Sequence, residues 1–256
     1  MKLVIFAGGF GTRLSEETQS IPKPMVKVGN MPIIWHIMKY YSFFGISDFV
    51  ICGGYKVEEI KDYFSNFYRN SSDLFIDLSN NTAIFSNSQV ENWKIRVVDT
   101  GYDTLTAGRL SRVREFIDSE CFYLTYGDGL SNIDLNALLK SHDNAGKPLT
   151  ISATRPPQRF GTLSIGADNT VEGFNEKYGK EHAYINGGFF VCDPKILDII
   201  HDDSGMFEED VLKKLAMSRS LNAFKHDDFW QPMDTVYERN ILNQMWLNDQ
   251  APWKVW

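Results

Sequence analysis

Lys2-Leu3-Val4-Ile5-Phe6-Ala7-Gly8-Gly9-Phe10-Gly11-Thr12-Arg13-Leu14 opens the chain, and Pro22-Lys23-Pro24-Met25 follows shortly after. An apolar strand that empties into glycines lets a backbone approach a ligand closely, because no Cβ stands between them. Backbone N–H groups in such a loop can cradle phosphate oxygens. Ala7, Gly8, Gly9, Gly11 and Thr12 form that loop, and Arg13 and Lys23 bring two positive charges to the same mouth. A nucleoside triphosphate is the first ligand this combination suits. A strand-to-helix turn with glycines for geometry alone is the competing reading.

Two other phosphate motifs are excluded. The dinucleotide fingerprint needs a third glycine opening a helix and an acid about 20 residues on. Here Leu14 takes the glycine's place, and the second apolar strand, Phe49-Val50-Ile51-Cys52, ends in Gly53-Gly54. The G-x-x-x-x-G-K-[ST] string of the P-loop is absent.

Outward from the first strand, apolar strand-like runs alternate with helical patterns. This predicts an α/β sheet with helices on both faces. Residues 31–44 read as a helix with Ile33, Ile34, Ile37, Met38, Tyr41 and Phe44 on its buried side and Gly45 as its stop. A strand at 48–52 and a helix at 56–68 follow. Short runs between 73 and 98 read as a small β excursion beside the main sheet. Helices are then expected at 107–116 and 135–142, with strands at 122–126 and 149–153. Residues 161–193 read as mostly β, with turns at Gly166-Ala167-Asp168-Asn169 and at Gly187-Gly188. Helical patterns at 194–201, 207–218 and 236–248 flank a strand near 221–225. No linker or repeat interrupts the chain, so 1–256 reads as one domain with halves meeting near residue 130. In such sheets ligands bind beyond the carboxyl ends of the strands, where the glycine loop and Asp128 both fall.

Composition narrows the possibilities. Apolar residues make up 43% of 256, enough for a sizeable core, and the net charge of −7 is spread without blocks. No basic stripe is present, so no nucleic-acid partner is expected. Cys52, Cys121 and Cys192 lie in or beside apolar runs with no C-x-x-C, and read as buried thiols in a reducing compartment. The five histidines lack metal-ligand spacing, and His36 reads as structural. The apolar start breaks at Gly8-Gly9, too soon for a signal peptide, and no run reaches the ~18 apolar residues of a membrane span. A cytoplasmic protein with no membrane partner is expected.

Ala7-Gly8-Gly9-Phe10-Gly11-Thr12-Arg13-Leu14 together with Pro22-Lys23-Pro24-Met25 resembles the signature of the sugar-1-phosphate nucleotidylyltransferases. Tyr126-Gly127-Asp128-Gly129, Arg159-Phe160-Gly161, Asn175-Glu176-Lys177, Ile185-Asn186-Gly187-Gly188-Phe189-Phe190 and Phe229-Trp230-Gln231-Pro232-Met233-Asp234-Thr235 follow in that family's order. Read end to end, the chain most resembles the glucose-1-phosphate cytidylyltransferases. Ser15-Glu16-Glu17-Thr18, Trp35-His36-Ile37-Met38, Val98-Asp99-Thr100-Gly101, Gly108-Arg109-Leu110 and Ala251-Pro252-Trp253-Lys254 carry that part of the likeness. The resemblance implies a Rossmann-like nucleotidyltransferase fold, with a mixed, mostly parallel central sheet. It implies a nucleotide half at about 1–130 and a sugar-binding and C-terminal half at about 131–256. The reaction implied is transfer of the cytidylyl group of CTP to glucose 1-phosphate, giving CDP-glucose and pyrophosphate with Mg2+. UTP or dTTP, or another sugar phosphate, and a non-catalytic regulatory protein on the same fold are the alternatives.

Residue roles follow from the same likeness. Asp128, an acid just past an apolar strand and between glycines, is free to bind metal. Asp234 precedes a helix and taken alone could equally be an N-cap. The resemblance makes the two the Mg2+ ligands, which suits an ion held by one or two carboxylates plus phosphate oxygens. It makes Arg13 and Lys23 the catalytic cations, on the β- and γ-phosphates and near the α-phosphate. Thr104, Arg109 and Gly127 join the nucleotide site, with an ordinary exposed helix arginine as the competing reading of Arg109 taken alone. Gly161, Glu176, Lys177 and Asn186 become the sugar site, with Tyr178 standing where many relatives have proline. For the base, a backbone carbonyl near Gly53-Gly54 or in the turn around 80–90 would accept from a cytosine amino group. A homo-oligomer, a hexamer by the resemblance, is expected. Phe64, Phe67, Tyr68, Phe75 and Phe85, and Trp246, Trp253 and Trp256, are its candidate interface aromatics.

Overall fold

A seven-stranded sheet gathers strands from almost the whole length of the chain. The computed structural model describes residues 1–88, 90–156, 162–165, 170–175, 183–200 and 203–256. The strands are β1 (Leu3–Ala7), β2 (Asp48–Gly53), β3 (Lys94–Asp99), β4 (Phe122–Tyr126), β5 (Leu149–Thr154), β6 (Ile185–Cys192) and β7 (Leu221–His226). Their spatial order is β7-β5-β6-β4-β1-β2-β3. Only β6 runs antiparallel to its neighbours. The longer helices are α1 (Ile33–Phe43), α2 (Val57–Ser65), α3 (Thr106–Arg112), α4 (Leu135–Ala145) and α5 (Val236–Leu247). This is the mixed, mostly parallel α/β sheet expected.

The continuous apolar runs of the central strands have a simple cause: they are covered on both faces. Leu3, Ile5, Phe49, Ile51, Tyr123, Phe189 and Val191 point to one side, where α1, α4 and α5 supply Ile34, Tyr41, Leu138 and Leu242. Val4, Phe6, Val50, Cys52, Leu124 and Phe190 point to the other, against Leu110 of α3 and Phe207, Val211 and Leu215. Cutting one such buried strand side chain to alanine costs about 2–5 kcal/mol.

Register sets up the cleft. Ala7 lies opposite Gly53, Gly53 opposite Asp99, and Phe6 opposite Tyr126. The glycine loop and the segments after β2, β3 and β4 therefore leave the sheet side by side.

Four sequence expectations change. Residues 94–99 are not part of the β excursion; they pair along the free edge of β2 from Asp48↔Lys94 to Gly53↔Asp99. Ile95, Val97 and Val98 pack on the two sheet clusters, so burial on both faces decides their place. The excursion is only the hairpin Asp73–Asp77 with Thr82–Ser86. The expected helix over 56–68 stops at Ser65, with a separate turn at Phe67–Asn70. Gly187-Gly188 is not a turn but an irregularity inside β6, where the pairing register shifts between Ile151 and Ala153. Gly188 has φ +77, and a Cβ there would come within 2.6 Å of the Tyr126 ring. The turn expected at 166–169 lies outside the described residues.

The C-terminal tryptophans pack onto the core cluster, Trp253 inside it and the half-buried Trp246 and Trp256 against it. Trp253 is fully buried, stacking on Phe229 and Trp246, and Trp256 meets Trp35 edge-on. His36 is buried among them, with Nε2 2.8 Å from the Val28 carbonyl. Cys52 and Cys192 are buried, and Cys121 is half-buried.

Candidate active site

A small antiparallel ladder builds the floor of the cleft. Gly129–Ser131, just past β4, pairs with Trp230–Pro232, Gly129 opposite Pro232. The Met233 N–H donates to the Asp128 carbonyl at 2.8 Å. Two carboxylates far apart in sequence, Asp128 and Asp234, are thereby brought to one place. The helix that follows is capped by Thr235, whose side chain and Glu238 form a reciprocal capping box. The cap is thus supplied by the next residue, and the Asp234 side chain turns to the cleft.

Lys23 completes this floor. It sits in a buried turn between Pro22 and Pro24, which restrict φ and stiffen the segment. Its Nζ lies 2.6 Å from Asp128 and 2.5 Å from Asp234. Burial disfavours its charge, but the two carboxylates more than offset this, and its pKa is raised above the ordinary 10.5. Arg13 reaches the same Asp234 from the rim at 2.8 Å, with 74% of its side chain exposed.

Above the floor lies a cleft of about 340 Å3. Ala7, Gly8, Gly9, Gly11, Thr12 and Arg13 form one wall, Thr104 and Arg109 another, and Lys23, Gly127 and Asp128 the base. The nucleotide-site residues expected from the sequence are thus neighbours in space. Asp234 joins them through Lys23 and Arg13. Asn186 stands to the side, donating from Nδ2 to the Tyr126 hydroxyl at 3.2 Å. Gly161, Glu176 and Lys177 lie outside the described residues, as does Tyr178.

Arg109 is not an exposed helix arginine. It is buried, and its guanidinium donates to the carbonyls of Gly8 (2.9 Å), Gly53 (2.9 Å) and Gly101 (2.8 Å) and to the Thr100 hydroxyl (2.8 Å). One side chain thus ties together the segments leaving β1, β2 and β3. A Cβ on Gly8 or Gly54 would overlap this guanidinium, so a side chain at either position would displace the arginine. The Gly53 carbonyl, expected to face a base, also accepts from the Thr100 N–H and hydroxyl at 3.0 and 2.5 Å. It is fully engaged and cannot read a nucleotide edge. None of the described residues of 80–90 lines this cleft; they begin at the tip of the exposed hairpin.

Aromatic residues missed in the sequence stand at the cleft mouth. Phe10, Tyr55 and Tyr102 meet pairwise at ring-centroid distances of 5.0–6.0 Å. Phe10 and Tyr102 line the cleft and remain exposed. Each adjoins a glycine of the phosphate-loop or Thr100-Gly101 segments, a signal that could have found them.

Asp128 and Asp234 present hard oxygen donors around one cation position, which fits Mg2+ if phosphate oxygens and water supply the remaining ligands. Among the described residues, no group of three or more His, Cys, Asp or Glu side chains could hold a metal.

A family model described as nucleotidyl transferase matches residues 2–236. The chain belongs to the nucleotidyl transferase family. Within it, the chain is 48% identical over 257 aligned residues to the glucose-1-phosphate cytidylyltransferase of Salmonella typhimurium, covering 100% of both chains. It is 42% identical, with the same coverage, to the probable glucose-1-phosphate cytidylyltransferase of Bacillus subtilis. Among solved structures, HddC from Yersinia pseudotuberculosis complexed with GMP-PN superposes with TM-score 0.70 at 23% identity, covering 96% of this chain and 99% of that one. UDP-glucose pyrophosphorylase complexed with UDP-glucose gives 0.67 at 16% identity, covering 97% and 98%. These likenesses show that the nucleotidyl transferase fold is shared. In this chain the glycine loop, Arg13, Lys23, Asp128 and Asp234 converge on one cleft.

Proposed function

We propose that this nucleotidyl transferase moves the cytidylyl group of CTP onto glucose 1-phosphate, with Mg2+, to give CDP-glucose and pyrophosphate. The observation that carries the reaction type is the single ammonium of Lys23 between Asp128 and Asp234 at the foot of the glycine-loop cleft. The choice of CTP and glucose 1-phosphate rests on the full-length likeness to the two cytidylyltransferases.

A phosphate oxygen of the sugar phosphate attacks the α-phosphorus, and the bond to the bridging oxygen of the β-phosphate breaks. No proton need leave a phosphate oxygen at neutral pH, so no general base is required. What the chain must supply is alignment and charge neutralisation between two anions. The backbone of Gly8, Gly9 and Gly11 holds the phosphates, with Ala7, Thr12, Thr104 and Gly127 shaping the pocket. Arg13, on the rim, neutralises the departing pyrophosphate. Lys23 leaves its carboxylates for the α-phosphate as charge develops there. Asp128 and Asp234 would hold Mg2+, which lowers the repulsion between the phosphates when bound. Phe10 and Tyr102 offer aromatic faces to a planar base. Gly161, Glu176, Lys177 and Asn186 take the sugar.

The hairpin Asp73–Asp77/Thr82–Ser86 supports a homo-oligomer, with a hexamer as the leading arrangement. Phe75 and Leu78 are 61% and 87% exposed, and Leu74, Ile76 and Ile84 are also open to solvent. No helix among the described residues is long and apolar enough to cross a membrane, and a cytoplasmic location suits an enzyme of soluble substrates.

Competitive turnover tests the assignment: glucose 1-phosphate with CTP, UTP, dTTP, ATP and GTP at equal concentration, with the sugar nucleotides separated. CDP-glucose should dominate. A preference for UTP or dTTP overturns the cytidylyl assignment alone, whereas no pyrophosphate from any nucleotide favours a non-catalytic role.

A further inference from the structure

Three consecutive acids, Glu208, Glu209 and Asp210, open the segment Phe207–Leu212, which is wound as a π-helix. A run of this kind reads as a solvated face, and two of the three fit that reading. Glu209 pairs with Lys213 at the surface, and Asp210 accepts from the Met206 N–H at 2.8 Å. Glu208 turns inward instead. Its partners are two hydroxyls: Thr106 donates to it at 2.9 Å, and Tyr126 donates to it in a close contact. π-turns of this sort recur at functional sites.

The two hydroxyls belong to different parts of the cleft. Thr106 begins α3 and, like Tyr126, lines the cleft. Its oxygen also accepts from the Phe207 N–H at 2.8 Å, leaving its own proton for Glu208. Tyr126 ends β4 and accepts from Asn186 Nδ2. The directions are forced: an ionised carboxylate only accepts, so both hydroxyls must donate to it. Tyr126 can then only accept from its other neighbour, so the amide nitrogen of Asn186 faces it. The Asn186 oxygen faces the other way and takes the Gly188 N–H at 2.8 Å.

We infer that Glu208 is a positioning residue for the sugar phosphate: it anchors the Tyr126 hydroxyl and, through it, the Asn186 side chain, whose amide is held from its other end by the Gly188 N–H. The inference rests on the reading of Asn186 as a sugar-binding residue. Glutamine at 208 keeps the volume but exchanges a charged acceptor for a neutral one, which weakens the hold on the Tyr126 hydroxyl.

Steady-state kinetics of purified Glu208→Gln, Tyr126→Phe, Asn186→Ala and the Glu208→Gln/Tyr126→Phe double variant test this, each folded by thermal melt. Glu208→Gln and Tyr126→Phe should each raise KM for glucose 1-phosphate about tenfold, the scale of one hydrogen bond. KM for CTP should stay within about twofold. The double variant should match Tyr126→Phe alone, because one residue acts through the other. An unchanged glucose 1-phosphate KM in Glu208→Gln, equal effects on both substrates, or additive effects in the double variant would overturn the relay. Should Asn186→Ala leave that KM unchanged, the sugar reading of Asn186 falls and the inference with it. Should Asn186→Ala raise it while Glu208→Gln does not, only the relay falls.

Discussion

The Nζ of Lys23 lies 2.6 Å from the Asp128 carboxylate and reaches Asp234 at 2.5 Å, so one buried ammonium bridges the two acids that face the cleft. On the proposed reading, a divalent cation and this ammonium would contend for the same oxygens. On that reading, an entering nucleotide would offer the lysine a phosphate to bind instead.

Removal of the metal gives the first test. Chelation should abolish pyrophosphate release and Mg2+ restore it. Asp128→Asn and Asp234→Asn should each lower turnover by about 10²–10³, the scale of one lost preorganised charge at a developing anion. Thermal melts should show the fold intact, since Thr235 and Glu238 cap α5. Near-normal rates in both variants would dismiss the metal assignment.

Lys23→Met should lower turnover at saturating CTP by a similar factor and affect nucleotide affinity less. It should also free the carboxylates, so the variant without nucleotide binds Mn2+ more tightly than the parent by electron paramagnetic resonance titration. Loss of CTP affinity by calorimetry with normal saturated turnover would make Lys23 a binding residue only.

Close packing around Arg109 gives a third expectation. Gly54→Ala places a Cβ where the guanidinium lies. The arginine must leave the carbonyls it holds, and buried carbonyls left unpaired cost about 1–3 kcal/mol each. CTP affinity should fall by at least tenfold by calorimetry, although the substituted residue need not touch the nucleotide. An unaltered affinity would separate Arg109 from the geometry of the cleft.

Acid should destabilise the fold through His36. Burial lowers its pKa from 6.5 to about 4, despite the bonds its ring makes to backbone carbonyls. Between those values the unfolded chain takes up a proton that the folded chain refuses, so stability falls as pH drops from 6.5 towards 4. His142 is also held down by burial and acts in the same direction. Melting temperatures across this window should decline more steeply in the parent than in His36→Gln; identical slopes would exclude His36.

For assembly, the double variant Phe75→Glu/Ile84→Glu places charge on the exposed hairpin. Light scattering should report a smaller mass than for the parent protein. A monomeric parent at working concentration would end the oligomer reading.

What was readable in the sequence depended on the range of the forces involved. Leu3–Ala7, Phe122–Tyr126 and the α1 helix declare themselves by local pattern, because both sheet faces are buried and one helix face is. The strand Lys94–Asp99 did not, since its membership is decided by the edge of β2, far away in sequence. Asp234 was ambiguous between cap and cleft until the ladder from Gly129 to Ser131 and the adjacent Thr235 separated the two tasks. A surface position for Arg109 stays open in the sequence because its acceptors are backbone carbonyls, which leave no mark there. Trp253 and Phe75 are both aromatic, yet one lies in the core and the other in solvent. Composition alone does not distinguish them.

The arginine that ties three loops comes from α3, beyond the strands whose loops it closes. A fragment ending before residue 106 would therefore contain the phosphate loop but not the part that locks it. Divided there, the chain should regain nucleotide affinity only when both pieces are mixed and dock. Fragment complementation thus offers a route to a binding site that can be switched by assembly.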